Sequence, residues 1–270
     1  MEFKEKQFDG PYEVSGVDLR VENQLFKGVL YFPPESFKKP YPLITYFHGF
    51  PQVFTLQEVV KSYQFLLDLG YAFLTFNFRG YRYSEGEISI SSQVSDGLMV
   101  LEFIENMVEN KILNKEDINI LAHDFGAYIA LIVCSKIDII NKLILLSPIL
   151  DLEKHVKAED FEKTLYYLNR FLPGQIKGLS NVKDFIEMTK KELSEEGFQL
   201  SNVLKQLKNK KLKIIIGEED RVTPLSEIDM IKENSILEYD CSVIQCMDHE
   251  CGDDEEIEQV NNEIKSFFEE

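Results

Sequence analysis

Residues 118–135 read INILAHDFGAYIALIVCS, and this stretch decides the fold. Residues 118–122 are a short apolar run of the kind that forms a buried strand, and residues 125–135 continue as a longer apolar helix. Only His123 and Asp124 separate them, so the chain has to pass from strand to helix through one tight turn. Such a turn strains its apex and needs small residues two positions to either side, which Ala122 and Gly126 supply. Asp124 is the apex. Its carboxylate is expected to stand above a sheet at the positive end of the helix, which favours the ionised form. A plain helix N-cap also accounts for the aspartate, but not for its small neighbours.

Outward from this elbow, short β-rich runs alternate with stretches of helical periodicity. Strands are expected at 24–32, 42–47, 71–78, 139–146, 212–216 and near 242–246, and helices at 57–69, at 92–107, from about 224, and in a last segment ending at 268. Alternation of this kind predicts an α/β fold, a mostly parallel twisted sheet flanked by helices. It stops after Pro148, and residues 151–210 read as amphipathic, Lys- and Glu-rich helices. The expected organisation is a core of residues 1–150 and 211–270, with residues 151–210 inserted as a small helical cap.

Composition narrows the partners. With 29 basic against 47 acidic residues the formal charge is −18, a surface that repels nucleic-acid backbones and anionic membranes, so neither is expected as a partner. No run approaches the roughly 20 apolar residues of a membrane span, and no charged-then-apolar leader opens the chain, so a soluble cytoplasmic protein is expected. Cys134 lies in an apolar run and reads as core. Cys241, Cys246 and Cys251 bracket His249 at five-residue intervals, but the paired short spacings of structural zinc sites are missing. No metal and no cofactor are expected, and nothing in the sequence specifies an oligomeric state.

Four loops carry unusual residues, and each follows an expected strand, at the edge of an open parallel sheet where ligands bind. The elbow is one. In Phe47-His48-Gly49-Phe50-Pro51, Gly49 permits a sharp bend and the Phe50 amide is free to point at a developing oxyanion; His48 is taken as a substrate contact. Gly217–Pro224 offers Asp220 to orient a histidine, and Met247–Glu250 offers His249. Asp151 is held in reserve as the acid. The order Asp124, Asp220, His249 matches a nucleophile-acid-base chain order.

The segments YFHGFPQ, TFNFRGYRYSEGE, LAHDFGAY, GEEDRVTP and MDHE, in this order and spacing, resemble the α/β-hydrolase family over nearly the whole chain. The resemblance implies an α/β-hydrolase fold with Asp124 as nucleophile, Asp220 as acid, His249 as base, and the amides of Phe50 and Phe125 as the oxyanion hole. Two features depart from the pattern. Most of the family, including the esterase and peptidase branches that much of this chain resembles, has serine where Asp124 stands, and Arg82 occupies a position commonly held by glycine.

An aspartate, with a reference pKa of ~3.9, is ionised near neutral pH and needs no base to become a nucleophile. Attack on a carboxylic ester gives a high-energy anhydride. Attack on an sp³ carbon gives a stable alkyl ester, which water activated by His249 then cleaves while Asp220 holds the imidazole. Epoxides and alkyl halides suit this chemistry. Halide-releasing relatives cradle the halide with tryptophan, and this chain has no Trp and places Phe125 after the nucleophile. HGFPQ and HDFGA look like segments of epoxide hydrolases, whose ring-opening acid is usually a pair of cap tyrosines. By that similarity Tyr166 and Tyr167 are candidates, although neighbours on a helix point about 100° apart and at most one reaches. The expected function is therefore hydrolysis of a small, largely uncharged molecule through an Asp nucleophile. The alternatives are an esterase-lineage protein whose serine is replaced, with lost or altered activity and small-molecule binding, and a hydrolase in which Asp124 serves as a base on water.

Overall fold

The computed structural model describes residues 6–208, 210–234 and 238–270. Its strands are β1 (Gln7–Asp9), β2 (Tyr12–Val21), β3 (Gln24–Tyr31), β4 (Tyr41–Phe47), β5 (Ala72–Asn77), β6 (Leu113–His123), β7 (Lys142–Leu146), β8 (Lys211–Gly217) and β9 (Tyr239–Ile244). Among the described residues they form one sheet in the order β1-β2-β3-β5-β4-β6-β7-β8-β9. From β5 to β9 every neighbouring pair is parallel, and β1, β2 and β3 add an antiparallel edge.

The central strands are largely buried because helices cover both faces. Alternate residues of β6 divide between the two cores: Ile118, Ile120 and Ala122 belong to one and Leu121 to the other. The first core takes α3 (Ile90–Glu109) and α4 (Phe125–Lys136). The second takes α1 (Leu56–Ser62), α2 (Gln64–Asp68) and α10 (Asp254–Glu269). The single helix expected at 57–69 is two, parted at Tyr63, whose ring packs at 5.3 Å from Tyr46 and 5.9 Å from Phe73. The strand expected from 139 begins at Lys142, and the last strand ends at Ile244 rather than near 246.

Between β7 and β8 the described residues form the helices α5 (Leu152–Lys157), α6 (Glu159–Phe171), α7 (Val182–Leu193) and α8 (Leu200–Val203), with one antiparallel bridge from Ile176 to Tyr81, and α9 (Asp229–Asn234) follows β8. This helical segment is bolted to the sheet. The buried Glu192 carboxylate accepts the Ile90 and Ser91 N–H groups at 2.9 and 3.1 Å, satisfying two amides at the start of α3 that the helix cannot use itself. The Lys177 N–H donates to the Gly80 carbonyl at 2.7 Å, and the Arg82 N–H to the Gln175 carbonyl at 2.8 Å. Arg82, where glycine is common, has φ +48°, the left-handed backbone that explains that preference.

Strand order reverses at β4, which lies between β5 and β6. A crevice therefore opens beyond the carboxyl ends of β4 and β6. The loop of His48 to Pro51 leaves one of these strands and Asp124 the other.

Candidate active site

Asp124 sits between β6 and α4 with φ +52° and ψ −123°, a conformation that L-residues rarely adopt. The surroundings hold it there. Its N–H donates to the Leu146 carbonyl at 3.0 Å, and its carbonyl accepts from Ala127 and Ile149 at 3.1 and 3.3 Å. A Cβ on Gly126 would stand 2.4 Å from the carbonyl oxygens of both Phe47 and His48, so the helix start presses directly on the end of β4. A Cβ on Gly49 would stand 2.6 Å from Asp124 Oδ2. The two glycines let loop and elbow meet.

That approach delivers the Phe50 N–H to Asp124 Oδ2 at 2.6 Å, and leaves Oδ1 3.4 Å from His249 Nε2. Phe125 opens α4, so it brings an N–H that the helix itself does not use. Asp220 lies 2.9 Å from His249 Nδ1 through Oδ2, while its Oδ1 accepts the Val222 and Thr223 N–H groups at 2.9 and 2.8 Å. The turn thus fixes the carboxylate before it meets the histidine. The loops after β8 and β9 are brought together by backbone: the Glu219 N–H donates to the Met247 carbonyl at 3.0 Å, and a Cβ on Gly217 would stand 2.1 Å from that carbonyl oxygen. Asp151 caps α5 by accepting the Lys154 N–H, so Asp220 is the carboxylate that meets His249.

Burial opposes a charge on His249, but hydrogen bonds and charges from Asp124 and Asp220 override it and push its pKa up to about 10. Burial likewise opposes ionisation of Asp124, yet the His249 hydrogen bond, the two histidines and the Phe50 amide hold it below the ordinary carboxylate value. The resting site is a carboxylate–imidazolium–carboxylate row. Because the folded pKa of His249 lies above its ordinary 6.5, the stabilisation is complete below about pH 6.5 and is lost as pH rises toward 10. Thermal midpoints measured from pH 6 to 10 are expected to fall across this window in the wild type. They should fall less in Asp124→Asn, which removes one of the two carboxylates.

His48 is not where the sequence reading put it. It is 1% exposed, and its ring is spent on backbone. The Phe78 N–H, which only donates, reaches Nε2 at 3.2 Å, so Nδ1 carries the hydrogen and donates to the Gly49 carbonyl at 2.8 Å. Burial lowers its pKa to about 4, in keeping with a neutral ring that fixes the loop rather than touching substrate. Tyr166 and Tyr167 are also corrected. α6 turns Phe161, Leu165 and Leu168 inward, which leaves the two tyrosines 49% and 59% exposed and outside the openings around Asp124.

The sequence reading missed two residues. His123 stacks on His249 with ring centroids 6.3 Å apart, and His155 on α5 packs against Phe161 at 4.9 Å. Burial lowers the pKa of both. All four histidines of the chain therefore gather around Asp124. An opening of about 410 Å³ contains Asp124, His155, Arg221 and His249, and another of about 300 Å³ reaches Asp124 past Tyr46, Tyr63 and His123. Beside the first lies a small apolar cavity of about 30 Å³ walled by Phe50, Phe125, Ile149, Leu152, Phe161 and Phe185. Among the described residues no group of three or more His, Cys, Asp or Glu is placed to hold a metal ion, and both His249 nitrogens face carboxylates. No helix among the described residues is long and apolar enough to cross a membrane.

A model of the alpha/beta hydrolase fold matches residues 42–191. The lysophosphatidylserine lipase ABHD12 of Danio rerio is 31% identical over 144 residues, which are 52% of this chain and 35% of that protein, so the match spans about a third of the relative's length. Among solved structures, Est1E from Butyrivibrio proteoclasticus with bound ferulic acid superposes with a TM-score of 0.70 at 18% identity, covering 93% of this chain and 97% of the other. The Pyrococcus furiosus esterase Pf2001 gives 0.68 at 20% identity, covering 96% and 90%. At such identities these two structures speak to the fold alone.

Proposed function

Because this chain belongs to the alpha/beta hydrolase fold family, we propose that it is a hydrolase acting on a small, largely uncharged molecule through Asp124 as nucleophile. The helical segment of residues 151–210 serves as its cap. Attack by Oδ1 on an sp³ carbon, as in an epoxide, gives an ester with Asp124, and water then cleaves that ester.

One observation carries this reading: Asp124 Oδ2 already receives the Phe50 N–H at 2.6 Å. In ester hydrolysis by a serine, that donor stabilises the oxygen of the substrate carbonyl. Here the oxygen it meets belongs to the enzyme, which is the arrangement needed when the carbonyl attacked by water is the Asp124 carboxyl itself. The charge on His249 fits the same sequence of events. An imidazolium is no base, but ester formation neutralises Asp124, removes one of the two carboxylates that hold His249 protonated, and lowers its pKa toward the range where it accepts a proton from water. The apolar cavity beside the opening suits an uncharged group.

The names of the relatives speak of ester cleavage, and a protein of that lineage that binds without turnover is the second reading, supported by the exposure of Tyr166 and Tyr167 outside the opening. Turnover in ¹⁸O-water separates the two. The expected result is label in the Asp124 carboxyl group, located by peptide mass spectrometry. Confirmed turnover with unlabelled Asp124 would sink the covalent mechanism, and activity on simple esters appearing only in Asp124→Ser would favour the second reading.

A further inference from the structure

When a carbon–oxygen bond breaks, its electron pair stays on the oxygen, and an alkoxide leaves poorly at neutral pH unless a donor meets it. Attack is in line, so the oxygen departs on the side away from Asp124 Oδ1. His249 and the Phe50 amide are bonded to Asp124 itself and face the wrong end of the reaction. The donor has to come from across the opening.

The polar side chains there are mostly charged. Lys154 pairs with Glu227 at 2.8 Å, the Thr164 hydroxyl donates to the Asp160 carbonyl at 2.9 Å, and Asp151, Asp160, Glu227 and Glu250 are carboxylates, which accept. Arg221, in the turn after β8, does not give up its proton. His155 remains. Its ring is half-buried, is set against Phe161, makes no hydrogen bond among the described residues, and lines both the opening with Asp124 and the small apolar cavity.

We propose that His155 is the acid that meets the leaving oxygen, a catalytic residue of the first step; this rests on Asp124 being the nucleophile. The Asp124 Oδ1–carbon bond forms as the ring carbon–oxygen bond breaks. The released pair takes a proton from the His155 imidazolium, which solvent recharges through the opening. His249, once Asp124 is esterified, gives its proton to solvent and takes one from the water that attacks the Asp124 carboxyl carbon. The bond from that carbon to the alcohol oxygen then breaks and the alcohol oxygen takes the remaining water proton, which regenerates the Asp124 carboxylate and charged His249. One proton therefore enters at His155 and one leaves from His249 per turnover. Burial keeps His155 more acidic than a free histidine, which helps its charged form to donate. The charged and titratable groups sharing this opening are Asp151 at the cap of α5, Lys154 on α5, Asp160 on α6, Arg221 and Glu227 after β8, His249 and Glu250 after β9, and Asp124.

The test uses two reagents that alkylate the same oxygen but differ in what departs. Styrene oxide leaves as an alkoxide and needs a proton; benzyl bromide leaves as bromide and does not. In the His249→Gln background, where the ester accumulates, labelling of Asp124 is timed by intact-protein mass spectrometry. His155→Phe is expected to slow labelling by styrene oxide about 100-fold and by benzyl bromide less than about 3-fold. His155→Gln, which still offers an N–H, should regain part of the epoxide rate. Equal slowing of both reagents, or of neither, overturns the role of His155 while Asp124 stands. If benzyl bromide does not react, recovery in His155→Gln decides, its absence overturning the proposal. No labelling of Asp124 by either reagent overturns the nucleophile and this proposal together.

Discussion

His249→Gln is expected to stop the reaction halfway. Asp124 is ionised without help from a base, so the first step survives the substitution, and protein mixed with an epoxide should gain the mass of one substrate on the peptide carrying Asp124. Release of that ester needs a base for water, and removing one typically costs about 10²–10⁴-fold, so steady turnover should fall by about that factor. The pairing of retained adduct with lost turnover is diagnostic. A serine at the same apex depends on its histidine in both steps, and loss of the base would then abolish the adduct as well. Loss of turnover without any adduct would count against nucleophilic attack by Asp124, and would point to a role as a base on water.

The second large effect is structural. A methyl group at position 126 would lie 2.4 Å from two backbone carbonyl oxygens, those of Phe47 and His48, and neither belongs to a flexible side chain that can swing aside. Gly126→Ala must therefore move the start of α4 away from the end of β4. Overpacking of this kind costs about 1–3 kcal/mol, and the rigid neighbours place this site at the upper end, about 3 kcal/mol, read as a lower urea midpoint. The same displacement carries the Phe50 amide off Asp124 Oδ2, so activity should drop by about 10²-fold even where the protein remains folded. An unchanged midpoint would mean that the two loops yield freely, contrary to the packing.

The elbow was legible because its demands are local. A strand, a helix, two intervening residues and small neighbours leave few other backbones, and the structure gives Asp124 the strained φ that this argument requires. Asp220 and His249 were legible for a related reason: each directly follows an apolar strand, and all such loops in a parallel sheet end on one edge. Of the antiparallel edge, β3 was read as a strand, but β1 and β2 were missed. β2 buries only Tyr12 and Val17 of its ten residues, so it offers no continuous apolar run, and its pairing with β3 is a long-range fact. The helices between β7 and β8 were read as helices, but which side of them faces inward was not. Their inward face is set by how the segment docks, through contacts such as Glu192 on α3, and sequence alone left Tyr166 and Tyr167 in contention while His155 passed unnoticed. The spacing of Phe161, Leu165 and Leu168 was the signal available, since it assigns one side of α6 to the interior and excludes the adjacent tyrosines. Arg82 stands at a position commonly held by glycine, and its left-handed backbone supplies the reason for that preference.

The gathering of every histidine of this chain around one carboxylate has a spectroscopic consequence. In most proteins the imidazole resonances of an NMR spectrum report on scattered places and must be sorted before any is useful. Here four ring systems constitute the whole set, and each occupies a different electrostatic niche: His48 is locked neutral by two backbone partners, His249 is held charged between two carboxylates, and His123 and His155 are pulled down by burial. The imidazole region is therefore a local readout of the crevice, in which conversion of Asp124 from an anion to a neutral ester registers on its neighbours without any label being introduced.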